Sequence, residues 1–247
     1  MNVKFYLVVE PQEEEEYRKE WGDANLLITP FSNLGNGSID VRNFVWEHSQ
    51  SFKKHWVLDD NLEGFHRLNR NMKPKVTDGT IFNCCEDFTD RYSNVKISGM
   101  NYYSFCKATD KVPPYYLNTR VYSCILIDNN LPFKWRGKYN EDTDLCLRTL
   151  KAGYCTILFN AFLVGKVTTM RMKGGNTSEV YGDTDNRKEF AESLQRQHPD
   201  IVKVVWKFNR WHHQVNYKSF KNNKLIKKEG LIIKKGVNNY GMKLIQK

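Results

Sequence analysis

The chain has 247 residues, enough for one α/β domain, or one domain with a small appendage, to bury a full core without disulfides or a structural metal. Its six cysteines show no CxxC spacing, and Cys84 and Cys85 are adjacent, so reduced thiols in an intracellular protein are expected rather than a disulfide framework. The net charge of +10 is unevenly placed: residues 218–247 carry nine lysines against Glu229 alone, which leaves the rest of the chain close to neutral.

A basic tail on a near-neutral body predicts a polyanionic partner, most simply nucleic acid; a solubilising tail is the plain alternative. The opening run Val3–Val9 is too short for a leader and contains Lys4, and no apolar stretch approaches bilayer length. The expectation is a soluble, cytoplasmic protein with no membrane partner.

Lys4–Val9 predicts a buried strand, ended by Pro11, and Glu13–Trp21 a helix with acids in its first turn. Asn25–Thr29 predicts a second strand, Ser32–Ser38 a loop, and Ile39–Phe52 a helix whose Ile39, Phe44, Val45, Trp46 and Phe52 share a face. Trp56–Leu58 is a third strand. This strand–helix alternation predicts a parallel sheet covered by helices, with ligands beyond the carboxyl ends of the strands, where Glu10, Thr29, Asp59 and Asp60 lie. Thr80–Arg91 follows as a helix, Val95–Ser98 as a strand ending at Gly99, and Tyr116–Ile127 as one or two strands.

Glu141–Ala152 has a strong helical pattern closed by Gly153. Cys155–Val164 is a strand, and Gly165–Arg187 a long polar loop of the kind that forms lids. Asn186–Gln197 predicts a helix and Ile201–Phe208 a strand. The tail has hairpin signals around Leu225–Ile226 and Leu231–Ile233. We place a domain at residues 1–215 and a basic extension at 216–247.

Two motifs suggest chemistry. The first, Trp56-Val-Leu-Asp-Asp-Asn61, sets carboxylates at a strand end. Mn²⁺ or Mg²⁺ takes one or two carboxylates plus phosphate oxygens, and such an ion stabilises a departing diphosphate. Turn formation is the plain alternative. In the second, Glu141, Asp142 and Asp144 crowd a helix start. Capping needs one acid, and three is an excess; a positioned carboxylate can take the proton from an acceptor hydroxyl.

Glu141-Asp-Thr-Asp-Leu-Cys-Leu-Arg…Ala-Gly-Tyr154 closely resembles the Glu-Asp signature helix of GT-A glycosyltransferases. The two motifs stand about eighty residues apart in that family's order, and Ser98-Gly-Met-Asn101 between them resembles its glycine loop. Arg210-Trp-His-His213 falls where the family often supplies a histidine ligand. In a strand His212 and His213 face opposite ways, and the sequence does not choose between them. The family's Asp-any-Asp is here Asp59-Asp60-Asn61, so which aspartate meets metal and which the ribose stays open.

With the following Lys-Gly-Gly-Asn-Thr177 loop, the pattern resembles the TET-associated glycosyltransferases of phages; abundant Lys, Asn, Tyr and Ile fit an AT-rich genome such as a phage's. The resemblance implies a mixed, mostly parallel GT-A (Rossmann-like) α/β fold. It implies a UDP-sugar donor with Mn²⁺ or Mg²⁺ held by Asp59, Asp60 and His212 or His213. Asp142 would be the general base, with Glu141 second. Glu10 would approach the nucleotide, Gly99 would belong to the donor site, and Arg171 and Lys173 would close over the diphosphate. The acceptor implied is the hydroxyl of 5-hydroxymethylcytosine, or a related hydroxymethylpyrimidine, in DNA, with the lysine tail on phosphates. A glycan or lipopolysaccharide acceptor, a nucleotidyltransferase and a catalytically inert DNA-binding module are the rival readings.

Overall fold

A computed structural model describes residues 1–23, 25–167 and 186–232. Near the N-terminus β1 (Leu7–Val9) pairs in parallel with β2 (Leu26–Ile28), and α1 (Glu14–Trp21) connects them. This small ribbon stands apart from the main sheet. The main sheet contains β3 (Lys54–Leu58), β4 (Leu62–Arg67), β5 (Lys75–Val76), β6 (Val95–Tyr102), β7 (Tyr115–Leu117), β8 (Cys124–Asp128) and β9 (Cys155–Lys166), in the order β3-β8-β6-β9-β4-β5. β9 is long enough to carry two partners along one edge: residues 157–159 pair with β7, and the segment from Phe162 onward with β4.

The expected mostly parallel sheet is corrected by this topology. Within the main sheet only β6 and β9 run parallel; every other pairing is antiparallel. A parallel neighbour needs a crossover of a dozen or more residues. The chain from β3 to β4 is only Asp59-Asp60-Asn61, too short for one. The same short connection forces the sheet to curl. Strands four positions apart in a flat sheet lie roughly 19 Å apart at about 4.8 Å per strand. The four backbone steps from Leu58 to Leu62 reach about 14 Å at most. Curling closes the difference, and Val167 N donates to Asn61 O (3.0 Å), which extends the β4–β9 ladder up to the link.

Helices cover both faces. α3 (Thr80–Asp90) packs Ile81, Phe82 and Cys85 against Val95, Met100, Ile157 and Phe159. On the other face Trp46 of α2 (Ile39–His48) and Leu145 and Cys146 of α4 (Glu141–Lys151) pack on Ile97, Ile125, Ile127 and Leu158. A third cluster joins α4 to α5 (Arg187–Gln197), and to the antiparallel hairpin β10 (Val202–Lys207) and β11 (Arg210–Val215), through Leu147, Leu150, Leu194, Ile201 and Val202.

Residues 216–228 do not form the expected hairpin around Leu225–Ile226; they form a strap docked on the domain. Asn118 Nδ2 donates to Phe220 O (3.0 Å) and Asn223 O (2.8 Å), and Asn223 Nδ2 donates to Leu150 O and Tyr154 O (both 2.8 Å). Asn94 brackets Lys224 and Ile226 in the same way. The Leu231–Ile233 signal extends outside the described residues. Among the described residues no helix is long and apolar enough to cross a membrane.

Candidate active site

The curl delivers Asp59 to the meeting point of three elements. Its backbone N–H donates to Ser123 O (2.8 Å), just ahead of β8. Its carboxylate accepts from Arg42 of α2 (3.1 Å) at Oδ1, and from Ser123 Oγ (2.6 Å) and Lys166 Nζ (3.1 Å) at Oδ2. Lys166, the last residue of β9, also donates to Ser123 Oγ (2.8 Å), and Ser123 meets the Tyr102 hydroxyl. Burial works against the Lys166 charge, but Asp59 and the Tyr102 hydroxyl raise its pKa above the usual value.

Arg42 connects this cluster to α4. Its guanidinium lies 3.5 Å from Glu141 and stacks over Trp135 at 4.6 Å, while Nη1 is buried with no protein partner. Glu141 begins α4 after Asn140, a left-handed N-cap (φ 56°), and accepts from Ser38 Oγ (3.2 Å). Burial raises the Glu141 pKa; Arg42 opposes the shift and Asp142 adds to it. Asp142 Oδ1 accepts from Thr143 N (2.6 Å), and its charge sustains that of the half-buried Arg120. Arg120 in turn packs over the Tyr122 ring at 4.6 Å.

The third acid has a different role. Asp144 is fully buried and accepts from Arg136 (3.0 Å), Arg148 (2.8 Å) and His198 (2.8 Å). Burial alone would raise its pKa, but these donors hold it below the usual carboxylate value. It locks the start of α4 to the loop before it and to the end of α5.

Above α4 the β10–β11 hairpin borders two open clefts that share His212 and His213. One, of about 390 Å³, is lined by Arg120, Tyr122, Lys207, Phe208 and Tyr217 among others. The other, of about 320 Å³, is lined by Glu141, Tyr139, Arg187, Arg210 and Trp211. Both are of ligand-binding size. β11 is a strand, so successive side chains alternate. His212 accepts from Arg210 Nε (3.0 Å). Burial, with the Arg120 charge beside it, lowers the His213 pKa to about 4.

The structure thus links Asp59 to Glu141 through Arg42, and brings Asp142 into electrostatic reach of His213 and Arg120. Other expected residues lie apart. Asp60 is exposed. Glu10 accepts from Gln12 Nε2 (2.6 Å) and Asn33 N (2.8 Å), where it pins the loop after β2. Gly99 lies inside β6, not in a loop after it, and a Cβ there would strike the Cys124 carbonyl and Val121. Its glycine serves strand packing. Arg171, Lys173 and the Lys-Gly-Gly-Asn-Thr177 loop lie outside the described residues.

Arg42, Ser123 and Lys166 carry no motif and become visible only when the curl gathers them on Asp59, and Arg120 only beside Asp142. As arranged, the acids do not fit a divalent ion. Both Asp59 oxygens are taken by Arg42, Ser123 and Lys166, and among the described residues no three His, Cys, Asp or Glu side chains converge. Two side-chain cations, Arg42 and Lys166, already neutralise Asp59.

Carboxylates and cations thus gather where the β3–β4 link meets α2, β8 and β9, and Glu141 also lines one of the clefts under the hairpin. The family model for TET-Associated Glycosyltransferase matches residues 1–175, most of the chain, and the protein belongs to that family: it is a glycosyltransferase. The match takes in Asp59, Lys166 and the α4 acids, and ends before the hairpin that carries His212 and His213. Neither the curated proteins nor the solved structures gave a significant match.

Proposed function

We propose that this enzyme moves a sugar from a UDP-sugar to the hydroxyl of 5-hydroxymethylcytosine, or a related hydroxymethylpyrimidine, in DNA. The observation that carries the reading is Arg42. It bridges the Asp59 cluster to the Glu141–Asp142 helix start and keeps one buried N–H group without a partner. A buried, unpaired guanidinium N–H is costly unless a ligand oxygen completes it. A diphosphate oxygen suits it, and Lys166 stands across the same carboxylate to meet the rest of that charge.

In this reading Asp142 takes the proton from the acceptor hydroxyl while that oxygen bonds the anomeric carbon. The bond from carbon to the diphosphate oxygen breaks, and the leaving charge falls on Arg42 and Lys166. Glu141, with its raised pKa, is the second candidate for the proton. An acid acting directly as base favours inversion at the anomeric carbon. The cation-rich C-terminal region supports a DNA acceptor over a neutral glycan.

The test is UDP release from a panel of UDP-sugars, with DNA containing cytosine or 5-hydroxymethylcytosine. Release that depends on the hydroxymethyl group supports the reading. Release that ignores DNA keeps the glycosyltransferase and overturns the acceptor. Asp142→Asn is expected to cut transfer by about 10²–10⁴-fold while UDP affinity stays unchanged. Loss of UDP binding in that variant would remove Asp142 from the role of base.

A further inference from the structure

We propose that the β10–β11 hairpin is a DNA-opening wedge: Phe208 at its tip enters the base stack and holds the gap as the target nucleotide turns out toward Asp142. The proposal rests on the DNA-acceptor reading above and adds the element that would make such an acceptor reachable.

Phe208 is 87% exposed, the most exposed of the large apolar residues among those described. It sits with Asn209 in the two-residue turn between Lys207 and Arg210, both with positive φ (52° and 57°). That turn favours Asn-Gly or Asp-Gly, and a bulky aromatic at positive φ is an outlier. Folding alone gives no reason for phenylalanine there, and such outliers gather at functional sites.

A second local rule is broken beside it. Lys207 and Arg210 are direct cross-strand partners, a like-charge pair that destabilises a hairpin in isolation. From residue 201 to residue 228 the chain has eight Lys or Arg and no Asp or Glu. Both departures are resolved by one occupant, a polyanion with flat apolar faces inside. Two copies of this surface would set cations against cations, which argues against self-association. A membrane would also accept the charge and the aromatic; the cleft that Lys207 and Phe208 share with Arg120 and His213, beside the proposed base, favours the nucleic acid.

The neck of the hairpin is braced. Trp206 and Trp211 meet edge to face across the strands at 5.2 Å, so the tip projects from a stiff base. Lys207 and Phe208 line the same cleft as Arg120 and His213, the groups around Asp142. Asp142 itself is half-buried. A base held in the duplex presents its hydroxymethyl group only at the major-groove edge, whereas a base turned out of the stack can bring it to a half-buried carboxylate. Apolar side chains inserted between base steps are a known means of opening them. Phe208 is therefore a positioning residue, with no contact to the reacting atoms.

The experiment compares wild type, Phe208→Ala and Phe208→Leu on three DNAs: 5-hydroxymethylcytosine paired with guanine, the same base opposite an abasic site, and a single strand. A 2-aminopurine beside the target reports unstacking. Phe208→Ala is expected to lose 10-fold or more in kcat/KM on the paired duplex and less than threefold on the other two DNAs, with Phe208→Leu largely restored. Wild type raises the 2-aminopurine signal in the duplex and Phe208→Ala does not. Equal loss on all three DNAs, or no loss on any, overturns the wedge. If wild type transfers to none of them, the acceptor reading has failed. The 2-aminopurine signal then decides the wedge by itself: a Phe208-dependent rise keeps it and no rise overturns it.

Discussion

At the residue scale the centre of the site is a carboxylate held by cations. Asp59 accepts from Arg42, Ser123 and Lys166 at once, and such a group is a poor metal ligand until a cation leaves. Lys166→Ala therefore separates two chemistries. If Lys166 meets the leaving diphosphate, the variant loses about 10²-fold or more in kcat, Mn²⁺ does not restore it, and a chelator changes the wild-type rate by less than twofold. Rescue of the variant by Mn²⁺ would instead make Asp59 a metal ligand with Lys166 as its placeholder.

The acids of this site were legible in the sequence because they cluster: Asp59-Asp60 at a strand end, and Glu141, Asp142 and Asp144 at a helix start. The cations were not. Arg42, Arg120 and Lys166 are single basic residues on a helix, a loop and a strand, and only the tertiary fold brings each to its acid. Asp144 shows the converse, an acid singled out by its motif whose partners Arg136, Arg148 and His198 make it structural.

At the scale of elements α4 carries the most. Its first turn presents Glu141 and Asp142, and Asp144 fixes that turn in place. Its last turn is held by Asn223 of the docked strap, whose amide closes the carbonyls of Leu150 and Tyr154. Asn223→Ala leaves both without this donor, and a loss of about 1–3 kcal/mol is expected, read from urea unfolding. A change below about 0.5 kcal/mol would show that the strap is not part of the cooperative unit.

Most helix boundaries were legible to within a residue or two; the exception is α2, expected over Ile39–Phe52 and found over Ile39–His48, with Phe52 exposed beyond its end. Thr80–Arg91 was expected and Thr80–Asp90 found; Glu141–Ala152 was expected and Glu141–Lys151 found. Both have an apolar stripe at helical spacing and a clear stop. β4 was missed because Gly64 (φ 139°) and its register shift break the alternation that marks a strand. The strap was missed because its order comes from asparagine side chains on distant elements, which leave no periodic trace.

At the scale of the whole molecule the expected parallel sheet gave way to a curled, mostly antiparallel one. The alternation of strands and helices was read correctly as far as β3, but pairing is set by connection length and curl, which no local pattern encodes. Burial of histidine gives the molecule a pH dependence. His55 is buried against Asn129 (2.5 Å), and its Nε2 has no partner; burial lowers its pKa to about 4. His213 is lowered to the same range. Between about pH 6.5 and 4 the unfolded chain holds protons at both sites and the native chain does not, so stability falls as pH falls through that window. The slope from His55 alone has a ceiling of about 1.4 kcal/mol per pH unit. Urea midpoints at pH 7, 5.5 and 4.5 check this: a steady decline that His55→Gln reduces is expected, and a flat profile would show that neither histidine is held neutral.

The three-residue link Asp59-Asp60-Asn61 also ties the Asp59 cluster to the closed sheet. Asp59 meets Lys166 across 107 residues of chain, and only after the sheet has curled shut. In the proposed reading, a chain with its helices and most of its strands formed but its sheet still open has no donor site. Donor binding is then expected to return last on refolding, which UDP binding followed alongside circular dichroism checks.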